Sequence, residues 1–183
     1  MKPGIVEYCF NVFEQPDDVE RTGIVIYSGS IEAVFCSEDC EDTEMNTETI
    51  GEFQITRIQN TFEGTPFSLI ADDYSQEASD VYATFFDDDS RDLKKPYRNE
   101  LCAHEFYILT RLKIVRRVDR LHVIERVLSH FIRYHCTYGS FFVAPDGFIN
   151  AAEAKVLKMK KARDWRYVFR ETLILPAGKE DVE

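Results

Sequence analysis

The sequence predicts an α+β fold, with a mixed, mostly antiparallel central sheet flanked by helices. Three observations carry this. The first third of the chain alternates apolar and polar residues with a period of two, the mark of half-buried strands. The second half reads strand–helix–strand–helix–strand, an order that places parallel neighbours in a sheet begun by antiparallel strands. Between two of those strands, "RRVDRLHVIERVLSHFIRYH" carries one wide apolar stripe, suited to lie on a sheet.

The elements follow in order. "GIVEYCFNVF" places Val6, Tyr8, Phe10 and Val12 two apart, as a strand. "GIVIYSGSIEAVFC" reads as a hairpin turning at Ser28-Gly29-Ser30, with β-branched and aromatic residues on both sides. "SEDCEDTEMNTET", residues 37–49, is an acidic loop, and "IGEFQITRIQ" resumes the alternation at Phe53 and Ile55. Gly64 and Pro66 break the pattern in "NTFEGTP". "DDYSQEASDVYATFF" has helical spacing at Ala78, Val81, Tyr82, Phe85 and Phe86, with Asp73 as N-cap and Gln76 completing a capping box. "DDDSRDLKKPYRN" is a charged surface loop, followed by a short helix from Glu100 to His104.

"FYILTRLKIV" is a nearly continuous apolar strand. The helix after it spans about Asp119 to His135 and aims Leu121, Ile124, Val127, Leu128, Phe131 and Ile132 at the core. "GSFFVAP" is a short buried strand closed by Pro145-Asp146-Gly147. "NAAEAKVLKMKKA" is a helix capped by Asn150, and "DWRYVFRETLILP" is a last strand or strand pair. The whole, 1–183, reads as a single domain: 1–66 mainly strands and an acidic loop, 67–175 the core, 176–183 a tail.

Composition narrows the classes. No apolar run reaches the eighteen residues or so of a membrane span, and no basic-then-apolar start suggests a signal peptide. Five scattered cysteines (Cys9, Cys36, Cys40, Cys102, Cys136) fit a reducing cytoplasm better than a disulfide scaffold. The net charge of −11 hides a split: residues 1–105 hold 24 Asp and Glu against 7 Lys and Arg, whereas 106–183 hold 9 against 15. Such asymmetry fits solvated acidic loops, a surface for a charged partner, or two parts of one fold that attract. The overall field repels phosphate and argues against nucleic acid as partner.

The strand "LKIV" followed by "RRVDRLHVI" and a helix resembles the coenzyme-binding segment of the GNAT superfamily of N-acetyltransferases. The likeness covers residues 68–175 by element order, including the "SQE" helix. In that family the turn reads Gln/Arg-x-x-Gly-x-Gly/Ala, and its backbone amides and helix N-terminus cradle the acetyl-CoA pyrophosphate. The resemblance places that turn at Ile114, Val115, Arg116, Arg117, Asp119, Arg120, His122 and Ile124. Here Asp119 stands where Arg or Gln is usual, and Arg120, His122 and Ile124 replace small residues. A carboxylate at that mouth repels phosphate, and side chains fill the space that glycine leaves open. Arg116, Arg117 and Arg120 at a helix start oppose its dipole. They fit a solvated surface, an anion gripped by guanidinium groups, or an acidic segment.

The family's catalytic positions differ too. No tyrosine stands in "VLKMKKARDW", where many members place a general acid; Tyr134, Tyr138 and Tyr167 fall elsewhere. The strand offers only Glu105 at its start as a base, and a carboxylate at a strand end reads first as surface. Cys36 and Cys40 in "CSEDC" lack the second pair of a zinc knuckle, and His122, His130 and His135 lack i, i+4 spacing, so no metal is expected. Cys102 and His104, two apart, are not expected to form a nucleophile pair. The expectation is an intracellular, cytoplasmic interaction protein without efficient acetyl transfer and without a cofactor, whose partner is a protein of basic character. Two alternatives stand beside it: an N-acetyltransferase that takes acetyl-CoA through a non-standard turn, and an acidic inhibitor or DNA mimic presenting "SEDCEDTE" and "FFDDDSRD".

Overall fold

The computed structural model describes residues 4–15, 23–36, 45–59, 61–62, 65–87, 93–97, 105–115, 118–170 and 172. Three long strands, β1 (Gly4–Gln15), β2 (Ile24–Cys36) and β3 (Met45–Gln59), pair antiparallel in succession. A two-residue pair, β4 (Thr61–Phe62) and β5 (Thr65–Pro66), leads into helices α1 (Phe67–Tyr74) and α2 (Gln76–Phe85). Then come β6 (Glu105–Ile114), α3 (Arg120–Tyr134), β7 (Phe141–Pro145), α4 (Ala151–Val156) and the hairpin β8 (Lys160–Ala162) and β9 (Trp165–Phe169). One seven-stranded sheet runs β1-β2-β3-β6-β7-β9-β8. Its neighbours are antiparallel except β6 and β7, which the α3 crossover makes parallel. This is the mixed, mostly antiparallel sheet flanked by helices that the alternation and element order predict.

The sheet has a core on each face. On one, α3 buries Val123, Ile124, Val127, Leu128, Phe131 and Ile132 against Val25, Tyr27, Phe53, Ile55, Tyr107 and Leu109, with α4 alongside. On the other, α1 and α2 bury Ile70, Ala78, Val81, Tyr82 and Phe85 against Ile58, Phe106, Ile108, Phe141 and Tyr167. Phe85 is the hub there, with ring centroids 4.8 Å from Phe141, 5.0 Å from Tyr97 and 5.4 Å from Tyr167.

Several sequence expectations change. Ser28-Gly29-Ser30 is no turn: β2 runs straight through, because Gly29 pairs with Val12 on one side and Phe53 on the other. The acidic loop ends earlier than residue 49, since β3 already begins at Met45. The α2 N-cap is Ser75, whose hydroxyl accepts from the Ala78 N–H at 3.2 Å, while Asp73 lies inside the preceding α1. Leu121 is 36% exposed, and Val123 takes its place in the apolar stripe. The lysine-rich helix is short: α4 stops at Val156, Lys158 takes φ 53°, and Lys160–Ala162 become the edge strand β8. Lysines at an exposed sheet edge discourage pairing with other chains. The last strand ends at Phe169, with Arg170 and Thr172 helical. Cys36 ends β2, whereas the loop from 37 to 44 with Cys40, the Asp87–Arg91 acidic run beyond Asp87, the helix at 100–104 with Cys102 and His104, and the tail at 176–183 lie outside the described residues.

The central strand β6 contains the fold's most consequential irregularity. Gln54 pairs with Arg111 but Ile55 with Leu109, so Thr110 is an extra residue, a β-bulge. Its hydroxyl donates to the Gln54 carbonyl oxygen at 3.2 Å. The bulge reverses which residues face the α3 core: Tyr107 and Leu109 before it, Leu112 and Ile114 after it. Arg111 and Lys113 are thereby turned outward, where both pair with Glu52, at 2.8 and 2.9 Å.

Candidate functional site

Parallel strands that separate at their C-terminal ends open the crevice in which mixed and parallel sheets hold ligands. Here β6 and β7 pair only at Phe106–Phe141, Tyr107–Phe142 and Ile108–Val143. From the Thr110 bulge onward, β6 continues to Ile114 with no β7 partner among the described residues. Gly51 opposes Ile114 at the far end, and a Cβ there would lie 2.5 Å from the Lys113 carbonyl oxygen. Glycine is needed for that close approach of β3 to β6.

The residues of the expected turn are placed as follows. Ile114 ends β6 and packs partly buried on the α3 core. The exposed Val115 donates its N–H to the Ile50 carbonyl at 2.8 Å. Arg116 and Arg117 lie outside the described residues. Asp119 is the N-cap of α3, and its carboxylate accepts from the His122 N–H at 3.3 Å. His122 is exposed, and Ile124 is wholly buried in the core. The helix N-terminus thus carries a carboxylate from its own chain in the position an anion would take.

Arg120 is engaged within the chain, although its side chain is 40% exposed. Its Nε donates to Glu153 Oε1 at 2.9 Å, and a terminal nitrogen donates to the Phe148 carbonyl at 2.7 Å. Glu153 is 1% exposed and also accepts from the Asn150 N–H at 2.8 Å, completing a capping box on α4. Arg120 follows β6, whereas Phe148 and Glu153 follow β7. The guanidinium therefore ties the two diverging strands together at the mouth of the crevice. The "NAAE" spacing shows the capping box in the sequence, but nothing local shows that Arg120, 33 residues earlier, shares its carboxylate.

A second cluster lies at the opposite end of β6. Glu105 is not surface: it is buried, accepts from Tyr107 at 3.1 Å and from the Thr137 hydroxyl, and sits 3.7 Å from Arg57. Tyr107 also reaches the His135 carbonyl at 3.1 Å, tying the end of α3 to the sheet. Burial, reinforced by Cys136 and Glu105 beside it, holds the Tyr107 hydroxyl protonated far above the ordinary tyrosine range. Burial works against the charge of Arg57, but Tyr27, Tyr107 and Glu105 outweigh it and raise its pKa. The cluster has a positional role, and within it the buried Arg57 Nε faces Glu105 as an ion pair without a hydrogen bond.

That network makes a pH prediction. A raised folded-state pKa means the folded chain keeps a proton that the unfolded chain releases from about pH 10. The stability it contributes is intact below that pH and is lost as pH rises beyond it. Thermal melts of wild type should therefore fall in alkali more steeply than those of Tyr107→Phe, which should be the less stable variant at pH 7, by ~1 kcal/mol. Parallel pH profiles would show that Tyr107 ionises as freely folded as unfolded.

No helix of the described residues is long and apolar enough to cross a membrane. No family model, curated protein or solved structure shows a significant match to this chain.

Proposed function

We propose that this chain is a GNAT-like domain that acts as an intracellular interaction protein, without efficient acetyl transfer and without a cofactor. The observation that carries this reading is the internal occupation of the strand–helix turn. The Asp119 carboxylate caps α3, and the Arg120 guanidinium is engaged by Glu153 and Phe148. A coenzyme pyrophosphate would meet a like charge at the helix start and would compete with the buried Glu153 carboxylate for the partly exposed Arg120. The element order β6–α3–β7 with a parallel pair supports the likeness to the superfamily, and fold likeness alone does not carry activity.

One feature favours the runner-up, an N-acetyltransferase with a non-standard turn: β6 and β7 diverge beyond Ile108 and Val143, as a crevice for an extended ligand requires. Titration calorimetry with acetyl-CoA separates the two. The interaction reading expects no heat of binding at micromolar concentrations. Saturable micromolar binding would replace it with the enzyme reading.

A further inference from the structure

The helical layers lie on opposite faces of one sheet and carry opposite charge. Residues 67–86, which form α1 and α2, contain Asp72, Asp73, Glu77 and Asp80 and no Lys or Arg, and all four carboxylates are exposed. On the other face, α3 with its N-cap, α4 and the turn after α4 expose Arg126, Arg133, Lys155 and Lys158 against Asp119 and Glu125, since Arg120 and Glu153 neutralise each other. Local structure explains part of the arrangement, since Glu77 lies in the first turn of α2, Asp72 accepts from Ser79 and Asp80 from Gln76, but not all of it. Asp73 lies in the last turn of α1, where the helix dipole disfavours a carboxylate. Lys158 holds φ 53°, a conformation that favours glycine.

These charges cannot neutralise one another within a molecule. A helix layer is about 10 Å thick and packs about 10 Å from the sheet, so the outer faces are separated by well over twice the Debye length of roughly 8–10 Å. The sequence-level idea that the two halves attract each other inside one fold therefore fails for these faces. Contact between molecules can bring them together. Each face also offers apolar side chains for such a contact: Tyr134 and Tyr138, 68% and 67% exposed, on the basic side, and Leu69, 53% exposed, on the acidic side. Exposed tyrosine and arginine together are characteristic of interface anchors.

We infer that the basic α3–α4 face docks on the acidic α1–α2 face of a second copy of this chain, head to tail. This rests on the interaction-protein reading and puts a second copy, through its basic face, in place of the basic protein expected from the sequence. The second copy is preferred over a foreign acidic protein or a nucleic acid because the complementary face is on the chain itself. A foreign polyanion would meet the net charge of −11 with the basic face alone to attract it, whereas a second copy offers both faces. A head-to-tail contact leaves one face of each kind unused at the ends, so association adds copies and does not stop at a dimer.

The test is sedimentation velocity on the full chain across a wide concentration range, at low and high salt. Wild type should sediment faster as concentration rises at low salt and return to monomer at high salt. Arg126→Glu/Arg133→Glu and Asp73→Lys/Asp80→Lys should each be monomeric alone, and an equimolar mixture of the two should regain association, because the faces are again opposite. Circular dichroism and melting temperature check that both variants fold; if either does not, the wild-type dilution and salt series decides alone. A wild type that stays monomeric throughout overturns the inference. So does one that assembles only when a single-stranded oligonucleotide is added, or a pair of variants that associate as wild type does. A monomer that also fails to bind acetyl-CoA overturns the stacking and leaves the interaction reading standing.

Discussion

Phe131→Ala should lower stability by ~3–5 kcal/mol, the range for truncating a buried phenylalanine. For a chain of this length that is a fall in Tm of roughly 10 °C. Phe131 is 1% exposed and sits where α3 meets the sheet, with ring centroids 5.3 Å from Tyr27, 6.0 Å from Tyr107 and 6.2 Å from Phe53. All three contacts are edge-to-face, each adding to the burial term. His135 stacks on the same ring at 5.0 Å. Long strands on both sides of the site cannot collapse into the cavity, so little of the loss is recovered. Tyr134→Ala, three residues on and mostly exposed, should change stability by less than ~1 kcal/mol. Equal melting temperatures for the two variants would mean that α3 does not present this face to the sheet.

Arg120→Ala should destabilise by ~2–3 kcal/mol. Breaking a wholly buried ion pair costs about 3–5 kcal/mol, and the arginine's partial exposure reduces this because water can reach the carboxylate once it is gone. The variant leaves Glu153 charged at 1% exposure and removes the donor to the Phe148 carbonyl. Adding Glu153→Gln should restore part of the loss, since a buried amide carries no charge and still accepts from Asn150. The double-mutant cycle measures that coupling directly. Additive effects would show that the two side chains act independently. A loss of phosphate-ligand binding without loss of stability would return Arg120 to the role that the family resemblance gives its turn.

The parts of this fold that the sequence disclosed are those set by local spacing. Asn150 ahead of the next helix marked the α4 cap, and the structure bears that out. Non-local partners decided the rest. Gly29 looked like a hairpin because nothing in its neighbourhood announces that strands pair on both of its sides. Glu105 looked like surface because Arg57 and Thr137, which bury it, are 48 and 32 residues away. Leu121 fitted the stripe by spacing, but in the first turn a helical side chain leans back toward the N-terminus and past the edge of the core, so Val123 is buried in its place. The site followed the same rule. The turn's position and its lack of glycine were legible, whereas the engagement of Arg120 by Glu153 depends on two helices meeting.

The bulge at Thr110 divides β6 into two segments phased separately, like two rulers butted with one mark between them. The extra residue between Leu109 and Arg111 therefore sets which face Leu112 and Ile114 take. Drawing the bulge out into regular strand with every residue kept would put both segments in a single phase, bringing Arg111 and Lys113 to the α3 core and expelling Leu112 and Ile114 from it. Deleting Thr110 would instead remove the bulge and leave Leu112 and Ile114 in place. An inserted residue is absorbed in a loop as slack. In the middle of this strand it rewrites which half of the sequence is oil and which is water.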